Sequence, residues 1–442
     1  MFNGGEFPVI VPTATTASFL EWSRAFLPAP ADSCLDGYVH PDFVEVADLL
    51  RRQIASSRGG AALCVYHRGE RVVDLWGGVR DAEGTRWDRD TLAPSFSTTK
   101  GVAATALHIL VDRGALDYDD RVADHWPEFA QEGKDGITVR HVLTHQAGLY
   151  HIRKMIDRAD RMLDWEYVVR AIEQARPVHE PGQRTAYHGL TFGYLVGELI
   201  QRVSGRSFSQ VVQDEIADPL GTDGLYIGAP TSVLDRAASL LGAEPRWLSP
   251  RALAFSGAWL DLGVTAMIGS ALRPFLNPVG LAVDVQSILD ALAPAGIDTF
   301  DFGAHATLQA TIPAANGLFT ARALAKMYAA LANGGEIDGG RLVARRTIER
   351  ATERQAATAE LAVIPFNMHW RLGYHGVFTT RGIPRNAFGH FGYGGSGAWA
   401  DPKRRLAMAL TVNSGQGTPF GDLRILRLSG AVLGSADARG RR

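Results

Sequence analysis

The sequence predicts an α/β fold: one sheet built from both ends of the chain, flanked by helices, with a mainly helical domain inserted between the sheet's two halves. Three observations predict it. Strand-like runs occur early, at Ala61–His67 and Arg71–Trp76, and again late, at Trp370–Tyr374, Ala398–Trp399 with its flanks, and Leu406–Val412. Between these groups the apolar residues recur with helical spacing. Glycine, proline and small polar residues punctuate the segments where one element gives way to the next.

In chain order, residues 1–35 are rich in Pro, Ala and Thr and read as an N-terminal extension. The apolar spacing from Asp42 to the Ser56-Ser57 pair predicts a helix. The two early strands follow, joined by Arg68-Gly69-Glu70. Gly101–Gly114 is mostly apolar, lacks proline and ends at a glycine suited to a C-terminal cap, so it predicts a helix. Thr138–Thr144, Trp165–Gln174, Phe192–Val203 and Ser207–Asp214 continue the helical pattern, and Ala321–Asn333 is a helix closed by Gly334-Gly335. These readings divide the chain into the extension (1–35), an α/β domain shared by 36–118 and 305–442, and a mainly helical domain over 119–304. No fixed-period repeat is evident.

Composition narrows the function classes. The 442 residues can bury a large core, and 46% hydrophobic with 21% charged residues is ordinary for a globular protein. A formal net charge of −2 and the lack of a basic run argue against nucleic-acid binding. Cys34 and Cys64 make no disulfide framework, and Cys64 reads as a buried, inert thiol in a strand. No basic residue precedes Arg24, so no signal peptide is expected and the protein reads as cytoplasmic. The apolar stretch Leu262–Leu272 is too short to span a bilayer.

The residues that can carry chemistry begin with Ser97-Thr98-Thr99-Lys100. A serine hydroxyl is a poor nucleophile until a base takes its proton. On a helix starting near Ser97, Lys100 lies one turn on, on the same face, and can be that base. Tyr187 follows the Pro181-Gly182 turn just ahead of a predicted helix. A phenol pressed against an ammonium is favoured as phenolate and can relay the serine's proton. The run Phe388–Gly397, rich in glycine, lets backbone approach a ligand closely and aim N–H groups at a developing oxyanion. Its G-x-G-x-x-G match, Gly392–Gly397, precedes Ala398-Trp399-Ala400-Asp401-Pro402, which does not open the helix a dinucleotide site needs. His141 and His145 have zinc-ligand spacing, but Val142 stands where the glutamate of H-E-x-x-H would be, so a structural role near a helix end is expected. No serine sits in G-x-S-x-G. No metal or cofactor is expected.

Ser97-x-x-Lys100, Tyr187 and His390-x-Gly392, in that order, make the chain resemble the serine β-lactamase-related hydrolases of class C type, and among them the family VIII carboxylesterases. Ile137–Leu149, Pro313–Gly317 with Thr320-Ala321-Arg322, and Leu331–Gly335 share in the resemblance, which runs over roughly residues 40 to 430. It implies the β-lactamase/penicillin-binding-protein transpeptidase-like fold, an antiparallel sheet with flanking helices, and a site in the groove beside the helical domain. Ser97 would be the acyl-accepting nucleophile, with Lys100 and Tyr187 as general base and acid. Backbone N–H groups of Ser97 and of a residue near Tyr393 would form the oxyanion hole, next to His390 and Gly392. As base, Lys100 must lose its proton near pH 7, a fall from about 10.4 that takes about 4 kcal/mol of burial and charge effects.

The departures from the lactamase pattern point to esters. Lactamases of this type usually show Tyr-x-Asn and Lys-Thr-Gly; here the third position of the first is Gly189, and His390-Phe391-Gly392 replaces the second. The absent side chains ordinarily grip the amide and carboxylate of a β-lactam, whereas an ester needs only nucleophile, relay and oxyanion hole. The implied activity is a serine carboxylesterase on short-to-medium acyl esters, through an acyl-enzyme, with a small-molecule ester as its partner. A β-lactamase or D-amino-acid peptidase, an acyltransferase on the same site, and an inactive lactamase-like scaffold are the alternatives. His390 hydrogen-bonds Tyr187, meets substrate or packs; Trp259, Trp370 and Trp399 line an acyl pocket or belong to the core.

Overall fold

The computed structural model describes residues 35–241, 285–356, 360–364, 366–415 and 423–441. The extension read over 1–35 (Leu35 apart), Cys34, the Leu262–Leu272 stretch and Trp259 lie outside the described residues.

A seven-stranded sheet organises the fold. Its strands are β1 (Asp36–Val39), β2 (Ala61–His67), β3 (Glu70–Gly77), β4 (His375–Gly376), β5 (Phe388–Phe391), β6 (Gly397–Asp401) and β7 (Leu406–Val412). They lie in the order β1-β3-β2-β7-β6-β5-β4, every neighbouring pair antiparallel. The early strands therefore meet the late ones at the β2–β7 pair, where Ala61 faces Val412 and His67 faces Leu406. β2 and β3 are joined tightly because Arg68 and Gly69 both adopt positive φ (56° and 86°), matching the twist of a two-residue hairpin.

Every residue of β2 and of β7 is buried, so both faces of the sheet are covered. The strand period of two sorts the side chains. Leu63, Val65, Trp399, Met408 and Leu410 face one way, onto α1 (Val44–Ala55) and the C-terminal helix Leu423–Arg439. Ala62, Cys64, Ala398, Ala400, Ala407 and Ala409 face the other, where small side chains let the alanine-rich helix Ala321–Ala332 approach closely. Beyond that layer runs α2 (Thr99–Asp112), apolar all round and buried from Thr99 to Val111. It packs on α3 (Thr191–Ser204), whose end is set by Gly205 in the left-handed conformation. Among the described residues no helix is long and apolar enough to cross a membrane.

Two details differ from the pattern reading. Trp370–Tyr374 is not a strand: Arg371 N–H bonds back to Tyr374 O, Gly373 turns the chain at φ +77°, and its N–H goes to Leu143 O. The short strand begins one residue later, at His375. β1, a largely exposed edge strand of sequence Asp-Gly-Tyr-Val, carries no periodic signal and is legible only from its pairing with β3.

Candidate active site

Ser97 lies in a single 3₁₀ turn, Phe96–Thr98, that feeds directly into α2. Phe96 is held at φ +44°, a conformation that costs a bulky L-residue about 1–3 kcal/mol and persists only where the surroundings enforce it. The enforcement is visible on both sides. Ser95 N–H bonds to Gly317 O at 2.8 Å, and Thr98 Oγ1 donates to Ser396 O at 3.1 Å. Phe96 itself packs between Phe302 and Tyr393, each with ring centroids 5.3 Å away.

Lys100, in the first turn of α2, is fully buried, and its Nζ lies 3.0 Å from Ser97 Oγ and 2.9 Å from Ala314 O. Asn316 fixes that carbonyl's loop: its amide donates to Thr307 O and Ala310 O, and its Oδ1 accepts from Ile312 N–H. Tyr187 leaves the short strand Arg184–Ala186 just before α3, and its hydroxyl donates to Ser97 Oγ at 2.9 Å. Its ring stacks on Trp370 (5.9 Å, 13° between planes), and Lys100 Nζ is 5.1 Å from the ring centre. Residues separated by 90 positions thus converge on one oxygen.

Burial dominates the electrostatics. It holds the Lys100 amine well below its ordinary 10.5 and lifts the Tyr187 phenol above its ordinary 10.0, the hydrogen bond with Ser97 offsetting part of that rise. Desolvation disfavours the charged form of both groups. Burial works against the phenolate expected from the sequence, because that form needs an ammonium beside it. The phenol donates to Ser97 Oγ, and the Lys100 amine donates to Ser97 Oγ and to Ala314 O.

His390, on β5, donates Nδ1–H to Phe391 O at 3.0 Å, which leaves Nε2 as an acceptor; that atom is buried and has no partner among the described residues. Its ring centre is 6.4 Å from that of Tyr187, with no hydrogen bond between them. Gly392 has a steric reason to be glycine. A Cβ there would stand 2.3 Å from Ser95 O and 2.9 Å from Thr98 Oγ1, so the 392–396 segment lies directly against the Ser97 turn. Gly392→Ala is expected to push that turn and lower the kcat of any reaction that depends on Ser97 by about 10²-fold, the scale of a 1 Å misplacement, with little change in KM. Steady-state kinetics beside a thermal melt checks this. The segment from Gly392 continues into β6, not into a helix.

Several candidates settle elsewhere. Trp399 is wholly buried on the sheet face toward the C-terminal helix, with Nε1 bonded to Ser429 Oγ, so it does not reach the serine. His141 caps the helix Val139–Leu143 with Thr138. His145, buried at φ +61°, accepts the His188 N–H and packs on Tyr187 and Trp370. Two features receive no role from the sequence, although the first lies in the Pro313–Gly317 run. One is the Ala314 carbonyl as a partner of Lys100. The other is Leu292: a Cβ on Gly189 would lie 2.1 Å from Leu292 Cδ2 and 2.8 Å from Ala291 O. The space of the side chain that Gly189 lacks is filled. Leu292, Ile288, Ile364 and Met368 pack against the cluster containing Tyr187 and Trp370, giving the site an apolar surround.

Comparison with known proteins agrees with this architecture. The Beta-lactamase family model matches residues 46–431. The chain is 38% identical over 359 residues to the esterase/beta-lactamase LipL of Mycobacterium tuberculosis, covering 80% of this chain and 77% of that protein. The crystal structure of a family VIII carboxylesterase superposes with a TM-score of 0.76 at 32% identity, over 91% of this chain and all of that one. A penicillin-binding protein homologue from Caulobacter crescentus gives 0.76 at 34% identity, with the same coverage.

Proposed function

The chain belongs to the beta-lactamase family, and from that premise we propose that it is a serine carboxylesterase, acting on short-to-medium acyl esters through an acyl-enzyme on Ser97. What carries the proposal is the placement of Ser97 Oγ within 3.0 Å of Lys100 Nζ and 2.9 Å of Tyr187 Oη, with burial disfavouring the charged form of both groups. Lys100 takes the hydroxyl proton as Oγ attacks the ester carbonyl. The oxyanion that forms is met by the N–H of Ser97 and one near Tyr393, beside His390 and Gly392. As the carbon–alkoxide bond breaks, the proton returns through Tyr187 to the departing alcohol. Water then enters by the same route in reverse and releases the acid. The division into 36–118 with 305–442 and 119–304 belongs to the same proposal; it is supported by the sheet's origin in 36–77 and 375–412.

Esters are favoured over β-lactams by Gly189, whose neighbourhood Leu292 fills, and by the apolar surround of Tyr187. The test sets p-nitrophenyl acetate, butyrate and octanoate beside a chromogenic cephalosporin. Ester turnover with little cephalosporin opening is expected, and efficient cephalosporin opening would favour a lactamase. Gly189→Asn is expected to cost about 1–3 kcal/mol through overpacking against Leu292, without raising cephalosporin opening. A melt and the same two assays read both effects.

A further inference from the structure

A concentration of cationic side chains lies away from Ser97. A groove of about 1430 Å³ runs between the C-terminal end of the helix Ala321–Ala332, the helix Arg345–Thr352, the loop at Arg385 and the β6–β7 turn. Seven cations line it against two carboxylates, Glu349 and Glu353. Arg350 pairs with Asp117, and Arg405 bonds to Asn333 Oδ1. The other five, Arg345, Arg346, Arg354, Arg385 and Lys403, are exposed and make no ion pair among the described residues. Elsewhere arginines are commonly matched, as in Arg113–Glu215, Arg140–Asp119, Arg202–Glu198 and Arg404–Asp437, and the chain as a whole is slightly acidic.

Two further facts set the groove apart from an ordinary solvated surface. Arg345 and Arg346 occupy the first turn of their helix, where the dipole disfavours cations, while the backbone there is capped by Asp112 through Ala344 N–H and Thr347 Oγ1. The two guanidinium groups thus sit against a local electrostatic preference without an internal partner in return, a pattern expected where a ligand supplies the compensation. Six of the seven cations are arginine, whose planar fork suits the paired oxygens of phosphate groups better than lysine's point charge. A concave wall of one sign also focuses the field into the groove.

We propose that this groove binds a soluble polyanion carrying several phosphate groups, such as a polyphosphate chain or a nucleoside polyphosphate. Its volume exceeds the roughly 300–1,000 Å³ of usual small-ligand sites, which fits an extended ligand better than a single ion. The site shares no lining residue with the surroundings of Ser97, so it stands or falls independently of the esterase proposal.

The experiment is titration calorimetry of the full chain with inorganic tripolyphosphate, repeated with Arg346→Glu/Arg385→Glu and with Lys403→Glu. Thermal melts confirm that each variant is folded. Expected is saturable binding that weakens as salt is raised and falls about tenfold or more with each lost cationic contact. Absence of binding, or binding indifferent to these substitutions in folded variants, would overturn the proposal. A parallel sedimentation arm uses vesicles of phosphatidylcholine with and without phosphatidylglycerol. Charge-dependent vesicle binding without tripolyphosphate binding would also overturn it, assigning the groove to a membrane surface.

Discussion

Replacing Ser97 by alanine is expected to lower p-nitrophenyl butyrate turnover on the order of 10⁶-fold, to the level set by binding and oxyanion donors alone. The size follows from the arrangement. Lys100 and Tyr187 both address Ser97 Oγ, so removing that oxygen leaves the amine and phenol with nothing to activate. The loss should appear in kcat, because the methyl group of alanine leaves apolar binding intact. The melting temperature should change little, since Ser97 is partly exposed and the Ser95 and Thr98 hydrogen bonds hold the turn. A folded Ser97→Ala protein that keeps substantial turnover would remove the serine from the mechanism.

Lys100→Met is the second large effect, an expected loss of about 10²–10⁴-fold. Methionine keeps most of the volume and deletes the amine, so packing around α2 is retained. Stability should hold or rise, because the variant no longer buries a group that must give up its proton on folding. Lower activity with undiminished stability separates a base from a structural lysine. The pH profile carries the same sign. Below the depressed Lys100 pKa the ammonium cannot accept a proton, so kcat/KM falls as pH falls through that value and is level above it. On the alkaline side, Tyr187 ionises only above its ordinary 10.0, so the plateau extends through the mildly alkaline range. A rate still climbing toward pH 10 in the native enzyme would mean that Lys100 keeps its proton.

Much of this was legible in the chain because local patterns dictated it. The spacing of Ser97 and Lys100 already places them one helical turn apart, and the runs at Ala61–His67, Trp165–Gln174 and Leu406–Val412 match their elements residue for residue. Trp370–Tyr374 misled because its apolar residues suggest a strand while Gly373 commits the backbone to a turn. The charge state of Tyr187 depends on how dry the site is, a property of packing that sequence spacing does not encode. Leu292 over Gly189 spans more than a hundred positions without a pattern to announce it. Trp399 was readable in hindsight: between Ala398 and Ala400, which face the alanine-rich helix, strand alternation sends its ring to the opposite face.

The most direct test of the central claim is acid quenching of the enzyme during p-nitrophenyl butyrate turnover, followed by peptide mass spectrometry. One butyryl group on the peptide carrying Ser97, absent from Ser97→Ala and accumulating where deacylation limits the rate, is the predicted result. Turnover with the acyl group on another residue, or turnover that persists in Ser97→Ala, would contradict it.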